Sequence, residues 1–437
     1  MNIIIDILLW ITYIISLYFS IFLFLVYVEQ NPKVDPRANS QRNTSLKNTL
    51  NNTFNISHHP FISILVPAYN EQSTIVKTLE SIYNINYPKD KIEVLVINDG
   101  STDQTKEKIT QYIQDKPYFH LISHSNRGKA ASLNIALTHA TGEFFACLDA
   151  DSFVEPLTLK KMLTIYEQEN DPQLAIITPA MKVHEPKNIL QKVQWLEYLV
   201  IILIGRITSQ LDSLYVAPGP FSLYNTKIIK QLGGFDEKNI TEDQEIAYRI
   251  QSHQYRIKQC PNGYVYTTAP SKLKQFYRQR RRWYLGSILC VHQYRNLIAN
   301  RKYGDFGMMQ MVKNAAGYLL AITGIAIAIT FIIQPWVENI KELFLINFNI
   351  APYLATFKIK ITFLTFLLTD FRKGFIILSL TILGIYFFYV AHKNANEKIN
   401  KFGWVPLIPY FAFYYTLKAT ILILTLFQFT QRKKFKW

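Results

Sequence analysis

Four short charged signatures follow one another between two apolar regions. They are Asp99 in Asn98-Asp99-Gly100-Ser101, Asp149-Ala150-Asp151, Thr241-Glu242-Asp243, and Gln279-Arg280-Arg281-Arg282-Trp283. Two carboxylates two residues apart at a strand end can face one hard cation through oxygen ligands. Such a cation neutralises a diphosphate and eases its departure. Lys129, in Asn126-Arg127-Gly128-Lys129-Ala130, falls at a helix start, where an ammonium beside the positive helix end suits an anionic phosphate. A solvated surface lysine is the plain alternative. Gln279, Arg282 and Trp283 are spaced to share one helical face. Arg282 can grip a diphosphate through its planar fork, and Trp283 offers a flat platform for a pyranose ring. Arg280 and Arg281 read as a basic patch beside a membrane. Asp99 sits in a common Asp-Gly turn, and Thr241 is a natural N-cap with acids in the first turn. Alone, each of these last two is ordinary structural chemistry.

The elements that position these residues follow from apolar periodicity. Strand-like runs at Phe61–Val66, Ile92–Ile97, Phe119–Ile122, Phe144–Leu148 and Leu174–Thr178 alternate with helical patterns near 72–85, 102–115, 128–140 and 156–169. Alternation of this kind predicts an α/β domain with a mostly parallel sheet covered on both faces. Ligands gather beyond the carboxyl ends of the strands in such sheets. The first strand ends at Pro67–Glu71, the second at Asp99, and the fourth at Asp149 and Asp151, so three motifs converge on one edge.

Composition places this domain beside a membrane. Residues 3–27 are almost unbroken apolar sequence, long enough to cross a bilayer, and without a basic n-region or small-residue cleavage site they predict a retained anchor. Apolar segments return near 314–334, 375–391 and 404–428, with a fourth candidate near 349–369 interrupted by Lys358 and Lys360. Placing Lys33, Arg37, Arg42, Lys47, Arg372-Lys373 and Arg432-Lys433-Lys434 on the cytoplasmic side favours about five spans. That arrangement predicts an outside N-terminus and a cytosolic stretch 28–310. Residues 28–60 read as a polar linker, 61–300 as the cytosolic domain, and 301–437 as a membrane domain of about four helices. Stretches near 189–211 and 271–298 read as interfacial helices, with an ordinary core helix as the alternative for the first. The net charge of +16 fits a membrane surface and a diphosphate-bearing ligand more economically than nucleic acid. Cys147, Cys260 and Cys290 are scattered and odd in number, which suits a reducing cytosol better than disulfides or zinc. No Gly-x-Gly-x-x-Gly and no Walker A loop supports dinucleotide or ATP chemistry.

In this order, behind the opening run Ile62–Glu71, the motifs resemble the family 2 inverting glycosyltransferases. The likeness is to the membrane-embedded branch that includes poly-β-1,6-N-acetylglucosamine, chitin, hyaluronan and cellulose synthases. It covers most of the chain and is specific across 61–290. The resemblance implies a GT-A-like nucleotide-sugar domain with transmembrane and interfacial helices. It implies that Asp99 accepts hydrogen bonds from a uracil ring, that Pro67, Ala68, Tyr69 and Glu71 line the same nucleoside pocket, and that Lys129 contacts the nucleotide. It assigns Asp151 as a ligand of Mg2+ or Mn2+, Asp149 as a donor contact and second metal carboxylate, and Asp243 as catalytic base, with Gln279, Arg282 and Trp283 on the substrate. The implied partners are a UDP-sugar donor, a glycan or lipid-linked acceptor and membrane lipids. A small accessory membrane subunit is compatible with that set, and nucleic acid is not part of it. The implied location is the cell (inner) membrane, with the catalytic domain in the cytoplasm. Ala217–Ser222 occupies the place of the acceptor-side loop, and its two prolines depart from the cellulose and hyaluronan synthase patterns, leaving the acceptor open. The expected activity is transfer of a sugar, N-acetylglucosamine by preference, to a growing extracellular polysaccharide. The alternatives are transfer of one sugar to a lipid or polyprenyl phosphate, and an inactive membrane scaffold.

Overall fold

The computed structural model describes residues 3–30, 56, 58–345 and 371–430. Its centre is an eight-stranded mixed sheet in the order β3-β2-β1-β4-β7-β6-β8-β5. The strands are β1 (Ile62–Ala68), β2 (Ile92–Asp99), β3 (Phe119–His124), β4 (Phe144–Cys147), β5 (Ser152–Val154), β6 (Leu174–Val183), β7 (Leu223–Asn225) and β8 (Arg256–Thr267). β1 pairs in parallel with both β2 and β4, with Leu65 opposite Leu95 on one side and Cys147 on the other. β7 enters antiparallel between β4 and β6 and so turns a parallel half-sheet into a mixed one.

β1 is apolar on both faces because both faces are covered. Ile62, Ile64 and Val66 belong to one buried cluster, and Leu65 joins Leu95, Ile97 and Phe145 in another. A period of two sends alternate residues to opposite faces, so a strand buried twice carries a polar residue only where it is bonded, as Ser63 is to Glu93 and the Gly142 N–H. The covering helices carry the matching stripe. In α2 (Ile75–Tyr83), Ile75, Leu79 and Ile82 are buried at helical spacing. α3 (Thr105–Ile113), α4 (Lys129–His139) and α5 (Thr158–Glu169) complete the alternation expected from the sequence.

After β6 the chain forms α6 (Ile189–Gln210), α7 (Thr226–Gln231), α8 (Glu242–Ser252) and α9 (Leu273–Gln293). α6 starts with a full capping box between Asn188 and Gln191, and Trp195, Leu196, Tyr198 and Leu199 of its apolar middle are buried. It lies between β6 and β8 on one side and α12 (Phe371–Asn394) on the other. α9 lies against α8 at very close range. A Cβ added at Gly286 would stand 2.0 Å from the Thr241 hydroxyl oxygen, and the Asn239 amide reaches the Cys290 sulfur at 3.5 Å.

Among the described residues, three helices are long and apolar enough to cross a membrane: Asp6–Glu29 within α1 (Ile3–Gln30), Gly374–Asn394 within α12, and Leu407–Phe429. The last is a single turn, a π turn at Tyr410–Tyr414, and α13 (Tyr415–Thr430). The apolar segments 3–27, 375–391 and 404–428 overlap these helices. The segment 314–334 is helical too, as α10 (Val312–Ala328) leading through a π turn at Ile329–Ile333 into α11 (Gln334–Leu345). The candidate span 349–369, residues 31–55 of the linker and the basic tail from 431 lie outside the described residues. Large apolar side chains point outward from these helices, Ile14, Leu25, Phe375, Ile382 and Phe427 among them. The helices are nonetheless joined to one another and to the sheet domain. Thr12 donates to Thr323 at 2.9 Å, and Trp195 of α6 meets His392 and Phe402 edge-on.

The contact at Gly286 gives a direct test. Gly286→Ala forces α9 away from Thr241, an overpacking cost of about 1–3 kcal/mol. Thermal melting of the purified protein is expected to show a lowered Tm, and an unchanged Tm would mean that the two helices are not held at this distance.

Candidate active site

The carboxyl ends of β1, β2 and β4 meet at one edge, and the segments leaving them are stitched together. Asn70, with φ of 56°, accepts the Thr102 backbone N–H at 2.8 Å, while the Glu71 N–H donates to the Thr105 hydroxyl at 2.8 Å. Asp99 fastens a third segment. Its two oxygens accept the backbone N–H groups of Arg127 at 2.7 Å and Gly128 at 3.0 Å, and His124 Nδ1 stands 3.4 Å away. Asp99 therefore sets the position of the turn that delivers Lys129 to the start of α4. Sequence alone left that role unseen, because a turn aspartate does not announce which amides it will accept.

Lys129 is the centre of the site. Its ammonium lies 2.5 Å from Asp149 and 2.9 Å from Glu242, so one cation links the end of β4 to the start of α8. Burial works against that charge, yet Asp149, Glu242 and Asp243 together hold its pKa above the ordinary lysine value. The neighbouring acids respond in the opposite sense. Burial, then the charges of Asp149 and Glu71, push Asp151 up to about 6. Burial and Glu242 push Asp243 up to about 6, against the pull of Lys129 and Arg282. Glu71 is raised as well, chiefly by burial, although the Thr74 hydroxyl donates to it at 2.7 Å. Five acidic residues thus crowd one edge around a single lysine, with Arg282 the further cation acting on Asp243.

The loop Ala217–Ser222 closes over this pair. A Cβ on Gly219 would stand 2.6 Å from the Lys129 ammonium and 2.9 Å from an Asp149 oxygen, so any side chain there would push this ion pair aside. The Ala217 N–H donates to the Asp243 carbonyl at 3.1 Å and ties the loop to α8. Behind α8 lies α9, whose Ser287 accepts from Gln244 at 3.3 Å and bonds Tyr318 of α10 at 3.1 Å.

The structure brings Asp149, Asp151, Glu71, Lys129, Asp243 and Arg282 into one electrostatic neighbourhood. Glu242, which sequence reading ranked second to Asp243, is the residue that touches Lys129. Of the first loop, Ala68 is buried in the sheet, Pro67 is partly covered and Tyr69 is exposed. Gln279 and Trp283 lie half-buried on α9, one helical turn apart, and Arg282 is exposed. Arg280 is the departure. Instead of joining a surface basic patch, it is 2% exposed and paired with Glu197 of α6. Neither sign was available from spacing, because an arginine run looks the same whether one member turns inward or none does. Among the described residues, no group of three or more His, Cys, Asp or Glu side chains is arranged to hold a metal ion.

Removing the central cation tests the electrostatics. Lys129→Met removes the cation that draws down the Asp151 and Asp243 carboxyls, so these two rise further and their charged forms destabilise the fold. The loss is expected to be about 1–3 kcal/mol at pH 8, reduced from the fully buried case because the pair is partly exposed. It should shrink near pH 5, where the raised carboxyls take up protons in the folded state. Tm differences from the parent that are equal at both pH values would contradict this.

Residues 63–233 match the family model described as Glycosyl transferase family 2. A poly-beta-1,6-N-acetyl-D-glucosamine synthase of Staphylococcus epidermidis is 27% identical over 377 residues, which span 85% of this chain and 84% of that protein. The same-named synthase of Staphylococcus aureus (strain COL) is 30% identical over 233 residues, 53% of this chain and 56% of that protein. Among solved structures, the mannosyltransferase PcManGT from Pyrobaculum calidifontis, in complex with GDP-Man and Mn2+, superposes with a TM-score of 0.57. That alignment covers 97% of this chain and 100% of the other at 19% identity, a likeness of fold.

Proposed function

This chain is a family 2 glycosyltransferase with a GT-A-like fold, and on that premise we propose that it builds a polymer of N-acetylglucosamine from UDP-N-acetylglucosamine. The carrying observation is the acidic edge around Lys129, with Asp243 at its α8 side and the charge of Arg282 on α9 acting on Asp243. The relatives named for a poly-N-acetylglucosamine product support the choice of sugar. The uracil ring sits by Asp99 and the Pro67–Glu71 loop, and Lys129 and Arg282 face the diphosphate. Trp283 and Gln279 face the acceptor sugar.

Asp243 removes the proton from the acceptor hydroxyl as that oxygen attacks the anomeric carbon. The bond from that carbon to the diphosphate breaks in line, UDP leaves with the electron pair, and the configuration inverts. The Asp149–Asp151 edge suits Mg2+ or Mn2+. Asp151 is driven towards protonation by burial and by the neighbouring charges of Asp149 and Glu71, and a hard cation relieves that crowding. Asp151 would hold such an ion, with Asp149 as the supporting carboxylate. The chemistry it would supply there is neutralisation of the diphosphate's charge.

Residues 61–300 form the cytosolic catalytic domain in this reading, below the apolar helices of the cell membrane. Those helices keep the acceptor end of the glycan next to α9 between additions, which favours repeated transfer and export of the polymer.

Asp243→Asn is expected to lower kcat for UDP release from UDP-N-acetylglucosamine by about 10²–10⁴-fold while donor affinity stays within a few fold. In the parent, kcat should rise with pH through about 6, because the base acts only when ionised and its carboxyl is held up to that value. Unchanged kcat in Asp243→Asn, or a rate that falls as pH rises from 5 to 7, would overturn the assignment.

A further inference from the structure

A second buried charge network lies away from the carboxylate edge, where the catalytic domain meets the apolar helices. Glu197 stands in the middle of the apolar helix α6 and is 4% exposed. One of its oxygens accepts Arg280 Nη2 at 2.5 Å and the Tyr414 hydroxyl at 2.6 Å, and the other pairs with Lys418 Nζ at 2.5 Å. Arg280 also reaches the Tyr414 hydroxyl at 3.3 Å. Its guanidinium carbon lies 4.3 Å from the Trp283 ring centre and 5.0 Å from that of Phe276. One carboxylate therefore joins α6, α9 and the last apolar helix.

Apolar side chains would hold three helices together at less cost than a desolvated ion network. What the network adds is direction. Burial alone would raise the Glu197 carboxyl, but Lys418 and Arg280 outweigh it and hold the group below its usual value, so it stays an acceptor. As an acceptor it fixes which way Arg280 points, and Arg280 in turn supports the ring of Trp283 by a cation–π contact. Gln279, Arg282 and Trp283 lie within one turn of Arg280 on the same helix, so the rotation of α9 about its axis sets where all three project.

We propose that Glu197 is a positioning residue: by holding Arg280 beneath Trp283 it sets how α9 presents its substrate face to Asp243. Because Lys418 and Tyr414 grip the same carboxylate, that setting depends on the seat of the last apolar helix. The inference rests on the reading of α9 as the sugar-facing helix. It makes a membrane helix part of the alignment of the site, beyond its use as an anchor.

The test compares Glu197→Gln, Lys418→Met and the double variant with the parent, all full-length in lipid nanodiscs. Lys418→Met keeps the Glu197–Arg280 pair and removes one grip of the last helix, so it is informative even if Glu197→Gln does not fold. Each folded variant is expected to lose about tenfold in kcat with KM for UDP-N-acetylglucosamine within about twofold, as misplacement rather than lost binding predicts. Product chains should be shorter, and hydrogen exchange across residues 276–284 should quicken. The double variant should be no worse than Glu197→Gln alone, since both changes act through one carboxylate. Parent kcat, product length and exchange in Lys418→Met would overturn the proposal, as would additive losses in the double variant. A parent that transfers no N-acetylglucosamine sinks the functional reading instead, and the exchange of 276–284 then decides this inference by itself.

Discussion

The placement of one lysine among five acidic residues is the constraint on which the rest of the site depends. Glu71, Asp149, Asp151, Glu242 and Asp243 arrive from three different connections, and without a cation their mutual repulsion in a partly buried cleft would drive them apart or protonate them. Lys129 touches two of them and lowers the energy of a third. Its own position is set by Asp99, through the amides of Arg127 and Gly128. The result is a strip of negative charge that is incompletely neutralised. Such a strip suits a divalent cation accompanying a diphosphate, and it leaves Asp243 a stronger base than a solvated aspartate.

The second organising feature is how little space separates the catalytic domain from the apolar helices. α9 lies against α8 through Gly286 on one side and runs beside α13 on the other. Tyr248 of α8 accepts from Asn314 of α10 at 2.7 Å, and Lys182 of β6 donates to the Ala395 carbonyl at 2.8 Å, just beyond α12. Polar bonds at such junctions have fixed geometry, whereas apolar packing tolerates sliding. The helix that carries the proposed base and the helix that carries the proposed sugar platform are therefore both referenced to helices that can lie in a bilayer.

Much of this was legible in the sequence, for identifiable reasons. The first four strands and their helices announce themselves because strands covered on both faces must be continuously apolar and their helices must carry one stripe. The acidic motifs converge because strand ends in a parallel sheet converge. The strands β5, β7 and β8 were missed: two are three residues long, and β8 alternates intermediate and buried positions around Pro261-Asn262-Gly263, which reads as a turn. Arg280 and Glu197 were unreadable for a different cause. A lone acid in an apolar helix and one arginine among three find each other only after folding brings residues 83 positions apart together. Glu242 was undervalued because its partner, Lys129, comes from a distant helix start.

The most direct measurement is the length distribution of the labelled product made by purified protein in nanodiscs from radiolabelled UDP-N-acetylglucosamine with Mg2+ or Mn2+. A ladder extending to long N-acetylglucosamine chains, with none formed when the metal is chelated, is the predicted result. A single labelled sugar on an extractable lipid, or no transfer of label at all, would contradict it.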